Sequence, residues 1–255
     1  MLRVLRLAWH VARALAIAVA VLPFLSDTQR RVRVHRFSRD LLALLAVRVK
    51  VSGIPPRAED LPAMIVANHI SWLDIFAINT VYTTRFIAKA EIRRWPVIGW
   101  LCAQGGTLFI ERTQRLHTAR INEHVVAAMR EGSSFTVFPE GKVTTGDGVL
   151  PFHASLLQPA LACGARLFPV ALRYTRVDGS LCSEADYEGE KTLLESLRLM
   201  LTQPEIHVHL QFLPPLASAG RHRRELAHEA GRAIAAALNL PAPQRRTGKV
   251  SRPPT

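Results

Sequence analysis

The sequence predicts an α/β fold, a mainly parallel sheet flanked by helices, preceded by an N-terminal amphipathic and membrane-associated helical segment. Three observations carry that prediction. From residue 47 onward short apolar runs alternate with helical patterns, which is how strand–helix–strand units build a parallel sheet. Apolar residues make up 49% of the 255, enough to bury a sizeable core and to exclude extended disorder. Ten of the 33 Lys and Arg residues fall in the first fifty positions, interleaved with the most apolar part of the chain, a mixture that suits an anionic bilayer surface better than a duplex.

The first element is a helix. Arg3, Arg6, His10 and Arg13 recur at helical spacing, one polar stripe on an otherwise apolar cylinder, as in a helix lying in a membrane interface. Ala14 to Leu25 is uncharged and apolar for twelve residues, short of the roughly 20 a spanning helix needs. Counting from Leu7 reaches that length only by including Arg13, whose side chain could snorkel, so lying and spanning both stand. A basic start and short apolar core also fit a cleaved leader, but no small-x-small site closes the run. Arg30, Arg31, Arg33, Arg36 and Arg39 ahead of Leu41 to Leu45 mark a second membrane-facing helix, which completes a segment over residues 1–46.

The main domain spans residues 47–240. Val47, Val49 and Val51 alternate with polar residues as in a half-exposed strand, and Gly53-Ile54-Pro55-Pro56 stops it. Then follow strand Met64–Ala67, a helix from Ser71, strand Arg85–Ala88, a helix around Val97–Ala103 and strand Thr107–Ile110. Helix Leu116–Arg130 closed by Gly132, strand Phe135–Phe138, helix His153–Cys163 closed by Gly164 and strand Leu167–Arg173 continue the alternation. Ile206, Val208, Leu210 and Phe212 mark a late strand, with His207 and His209 expected on its outer polar face rather than as metal ligands. Arg223 to Leu238 reads as a closing helix. The basic, proline-rich tail over residues 241–255 is expected to be disordered.

A net charge of +13 predicts anionic partners: nucleic acid, acidic lipid head groups or phosphorylated small molecules. No paired Cys and His zinc spacing and no basic stretch interleaved with aromatics supports nucleic acid. Cys102, Cys163 and Cys182 are too few and too scattered for a disulfide framework, which favours a reducing, cytosol-facing location.

In parallel sheets, sites gather where strands end. Three strand exits here carry polar residues. At the first, Asn68-His69 is followed by Ser71-x-x-Asp74, a capping-box spacing that places Asp74 about one turn into a helix, within reach of His69. His69 is then either a base held by a carboxylate or an ordinary turn histidine; a metal site lacks second and third ligands nearby. At the second, Gly105-Gly106-Thr107-Leu108-Phe109-Ile110-Glu111-Arg112 delivers a guanidinium suited to a phosphate, or one simply paired on the surface. At the third, Phe138-Pro139-Glu140-Gly141-Lys142 could present backbone N–H groups and Lys142 to an anion.

Taken in order, these stretches resemble the glycerolipid acyltransferase family, whose best-known members are the 1-acylglycerol-3-phosphate acyltransferases of phospholipid biosynthesis. The likeness covers roughly Val47 to Tyr174. It rests on the NHxxxxD motif at Asn68 to Asp74, a stretch from Ala88 to Gly99 ending in W-P-x-x-G, Gly106 to Arg112, Phe138 to Gly141, and Phe168-Pro169-Val170. The resemblance implies direct transfer of a fatty acyl group from acyl-CoA or acyl carrier protein, with no other cofactor and no metal. His69 would deprotonate the acceptor hydroxyl and Asp74 would orient the ring. Arg112 would hold the acceptor's anion, Lys89 would assist, and Glu140, Gly141 and Thr144 would shape the same pocket. Such an enzyme is expected at the cytoplasmic face of the inner membrane.

One block departs from the family's pattern, with Val143 where an arginine often stands. The continuation Val149 to Leu156 is similar to bacterial members with other acceptors, lyso-ornithine lipid among them. The expectation is therefore an O-acyltransferase for 1-acylglycerol-3-phosphate, with another lysolipid as the alternative. A non-catalytic lipid-binding protein is the reading from a different class. A serine hydrolase lacks its G-x-S-x-G elbow.

Overall fold

The computed structural model describes residues 2–94, 98–110, 115–187, 189 and 191–244. Side chains at 2, 89, 91, 98 and 115–120 are outside that description. So are Glu111 and Arg112 at the second strand exit, Trp95 to Val97 of the W-P-x-x-G stretch, and the tail from residue 245.

Two helices come first, α1 (Leu2–Ala20) and α2 (Asp27–Leu44), joined by a short 3-10 turn at Leu22–Phe24. Ser26 caps α2: its hydroxyl accepts from the Gln29 N–H, while the Gln29 side chain accepts from the Ser26 N–H. The basic stripe predicted for α1 is not uniformly solvated. His10 is buried, stacked on Phe37 of α2 at 4.7 Å, and Arg13 lies 3.6 Å from Asp40. Arg3, Arg6 and Arg13 stay exposed while His10 turns toward α2, and Val4, Leu5, Trp9 and Val19 are exposed as well. Among the described residues no helix is long and apolar enough to cross a membrane.

Seven strands follow: β1 (Val47–Ser52), β2 (Ala63–Ala67), β3 (Arg85–Lys89), β4 (Leu108–Ile110), β5 (Phe135–Val137), β6 (Arg166–Thr175) and β7 (Ile206–Phe212). They form one sheet in the order β1-β7-β6-β2-β5-β3-β4. All pairs are parallel except β6–β7, so β1 and β7 run against the rest. The predicted alternation is observed, and the reversal of β1 and β7 is the feature that local periodicity does not contain.

Helices cover both faces. The α3 (Asp74–Asn79) and α7 (Leu193–Thr202) helices join α2 on the face of Ile65, Val170 and Leu210. The α5 (Arg115–Arg130), α6 (Gln158–Cys163) and α8 (Arg223–Ala237) helices cover the face of Met64, Val66 and Leu167. Burial on both faces explains why β2 is an unbroken apolar run. The α4 helix (Ile98–Gln104) precedes β4.

Three expectations need correction. The helix expected from Ser71 begins at Asp74, with Ser71 to Leu73 forming a turn before it. The helix expected from His153 is a 3-10 turn at Ala154–Leu157 running into α6, which ends at Gly164 in the left-handed conformation, φ 62°. His207 and His209 do share the face opposite the apolar residues of β7, but only Gln211 on that face is exposed. His207 is buried against Glu205 at 2.8 Å, and His209 bonds Thr175 at 3.2 Å.

Candidate active site

Local chain geometry creates the site at the C-terminal end of β2. There the strand ladder to β6 is prolonged by a side chain: Asn68 Nδ2 donates to the Leu172 carbonyl at 3.0 Å and Asn68 Oδ1 accepts from the Leu172 N–H at 2.8 Å. The amide of Asn68 thus stands in for one more peptide group, which fixes where the next residue, His69, leaves the sheet.

His69 Nδ1 lies 2.8 Å from Asp74 Oδ2. An ionised carboxylate only accepts, so Nδ1 carries the proton and Nε2 is left as the basic nitrogen. The ring stacks on Phe138 with centroids 4.1 Å apart and keeps 21% of its side-chain surface exposed, which leaves an edge for a substrate. Asp74 is fully buried. Its Oδ2 also accepts the N–H groups of Ile70 at 2.8 Å and Ser71 at 3.0 Å. Its Oδ1 accepts the Tyr174 hydroxyl at 2.7 Å. Four donors on one carboxylate compensate its removal from water. The turn reading and the pairing reading of Asp74 are both realised, because one oxygen serves the turn and the imidazole together. The capping box is not formed: the helix is capped at Leu73 without a side-chain bond, and the Ser71 hydroxyl accepts from the Leu73 N–H.

The main chain of His69 is held as firmly as its ring. Its N–H donates to Glu140 Oε1 at 2.8 Å, and its carbonyl accepts from the Thr144 N–H at 2.8 Å and the Thr144 hydroxyl at 3.2 Å. The second Glu140 oxygen accepts the Leu150 N–H at 3.0 Å. Glu140 and Thr144 therefore hold the main chain of the loop that carries His69. Pro139 and Gly141 shape the turn after β5, with the Gly141 N–H donating to the Phe138 carbonyl at 3.2 Å and Gly141 at φ 82°. Burial pushes the Glu140 carboxyl up to about 7. The Leu150 and His69 N–H groups partly offset this, and nearby Asp74 adds to it.

Lys89 ends β3. Its side chain and the whole of Arg112 fall outside the described residues. Sequence reasoning passes over Tyr174, because an aromatic in an apolar strand reads as core. The signal that could have found it is the strand's length: β6 runs past its last pairing with β2, Val170 to Ala67, by five residues.

A buried carboxylate, a histidine aligned by it and an open ring edge form a base suited to activating a hydroxyl. Comparisons with known proteins give the family. A family model described as Acyltransferase matches residues 48–173. The lyso-ornithine lipid O-acyltransferase of Pseudomonas aeruginosa is 38% identical over 93% of this chain and 93% of its own length.

The chain belongs to the lysophospholipid acyltransferase family.

It is an acyltransferase. A 1-acyl-sn-glycerol-3-phosphate acyltransferase of Neisseria meningitidis is 40% identical over 60% of each chain. The fold of this acyltransferase matches that of the crystal structure of the 1-acyl-sn-glycerophosphate acyltransferase from Thermotoga maritima, with TM-score 0.61 and 23% identity over 93% of this chain and 96% of that one.

Proposed function

We propose that this enzyme transfers a fatty acyl group from acyl-CoA or acyl carrier protein to the free hydroxyl of a lysolipid, and that the lysolipid is lyso-ornithine lipid. The observation that carries the acceptor is the reach of the likeness. Similarity to the Pseudomonas protein runs through 93% of both chains, whereas that to the Neisseria phosphatidic acid-forming relative stops at 60%. Ornithine lipids present a carboxylate where lysophosphatidic acid presents a phosphate, and Val143 in place of a family arginine is in keeping with the less charged anion. In the reaction His69 Nε2 takes the hydroxyl proton as the oxygen attacks the thioester carbonyl. The C–S bond then breaks and the thiol leaves with a proton. Asp74 stabilises the imidazolium between these steps.

The second reading, 1-acylglycerol-3-phosphate as acceptor, is favoured by the slightly higher identity, 40%, over the shorter match. Location at the cytoplasmic face of the inner membrane is part of the proposal. It is supported by outward Val4, Leu5 and Trp9 on α1 and by the basic residues of α2.

The test is a panel of lyso-ornithine lipid and lysophosphatidic acid, each with acyl-CoA and with acyl carrier protein, read by mass spectrometry. Higher kcat/KM with lyso-ornithine lipid is expected, and preference for lysophosphatidic acid overturns the acceptor. His69→Ala retaining wild-type transfer overturns the mechanism.

A further inference from the structure

We propose that Tyr174 is a positioning residue for acyl transfer, holding Asp74 so that its other oxygen stays on His69. The inference rests on His69 acting as the base. Tyr174 lies a hundred residues beyond Asp74 and outside the His69–Asp74 loop, yet its hydroxyl donates to Oδ1 while Oδ2 serves His69, Ile70 and Ser71. The two oxygens thereby become inequivalent, and the carboxylate cannot rotate without breaking a bond on each.

The tyrosine is itself fixed. Its ring is fully buried, its main chain pairs with Val208 across β6–β7, and its carbonyl accepts the Cys182 N–H at 3.0 Å. Ser71 also approaches the phenol oxygen. A tyrosine filling a core needs an acceptor for its hydroxyl, and a backbone carbonyl would serve. Here the acceptor is the one carboxylate that aligns the base. Burial, followed by the neighbouring Asp74 charge, holds the phenol well above its ordinary range, so it remains a donor at any working pH.

The bond has two consequences. It restricts Asp74 to the orientation that aligns the imidazole, and it draws negative charge from the carboxylate, which sets how strongly Asp74 favours a protonated ring. The other titratable groups near the pair are Glu140 behind the His69 main chain, Lys142, which acts on Glu140, and Cys182 beside Tyr174. They are the same residues in wild type and variant.

Tyr174→Phe keeps the ring and removes the donor. The expected result is kcat lower by about 10-fold, unchanged KM, and an acid limb of the kcat/KM profile moved to higher pH by about half a unit. Should that variant not fold, 3-fluorotyrosine introduced at position 174 strengthens the donor and is expected to move the limb to lower pH. A folded Tyr174→Phe with wild-type kcat and limb, or one that only melts earlier with the limb unmoved, overturns the inference, as does an unmoved limb with the fluorinated residue. If His69→Ala is inactive in the same assay, that failure concerns Tyr174 alone. If His69→Ala retains activity, the base assignment falls with it.

Discussion

Replacing Glu140 with Gln tests whether a buried carboxyl braces the catalytic loop. Glu140 is only 4% exposed and has a main-chain N–H on each oxygen, from His69 and Leu150. Its carboxyl is pushed from 4.5 up to about 7, chiefly by burial. The folded protein then keeps this proton up to about pH 7, while the unfolded chain releases it near 4.5. The associated stability is therefore fully present below 4.5 and is lost as pH rises through 7. At about 1.4 kcal/mol for each tenfold change in proton affinity, that interval is worth about 3 kcal/mol. Glutamine does not titrate. It offers one accepting oxygen, and its NH2 group faces the second N–H, a mismatch costing about 1–3 kcal/mol at every pH. The stability advantage of wild type over Glu140→Gln should thus be largest at pH 5 and shrink by about 3 kcal/mol by pH 8. Urea unfolding of both proteins in the same detergent at pH 5, 6.5 and 8 measures this. Parallel stability curves would refute the reasoning, because they would mean that the carboxyl is not held out of water as described.

Three further outcomes follow from the same geometry. Asp74→Asn should cut kcat by about 10²- to 10⁴-fold, since the amide cannot stabilise an imidazolium; single-turnover acyl transfer reads this directly. Asn68→Ala removes both bonds to Leu172 and should cost about 2–3 kcal/mol in urea unfolding, with amide exchange at Leu172 accelerated. Gly53→Ala should destabilise by about 2 kcal/mol or more, because φ is 75° and the new Cβ would sit 1.9 Å from the Phe212 carbonyl oxygen; a Tm equal to wild type would contradict it.

Much of this molecule could be read from its residues, for reasons that differ by element. Strand β2 is legible because a strand buried on both faces must be continuously apolar, and α5 because its periodic pattern is stopped by a glycine at φ 87°. The pairing of His69 with Asp74 is legible as a spacing, yet equally as a turn, and the observed carboxylate does both. The α7 helix is the element absent from the reading, although Thr192 and Glu195 form a capping box at its start. Tyr174 was hidden for a different reason. Its partner is a hundred positions away, and only the register of β6 against β2 and β7 brings the two together. The burial of His10 likewise depends on a neighbour from a distant segment, Phe37 of α2, whereas His207 meets Glu205 two positions before it.

The reversed pair of strands at the sheet edge imposes an order on how the protein can be made. Strand β1 leaves the ribosome early, but among the described residues its sheet neighbour is β7, whose register begins at Ile206 opposite Val47. The overhang of β6 that carries Tyr174 is flanked by that same late strand. Loops this long close slowly. A nascent chain can therefore form α1 and α2 long before β1 gains its strand partner, and the Tyr174 hydroxyl reaches Asp74 only after a hundred further residues have been made.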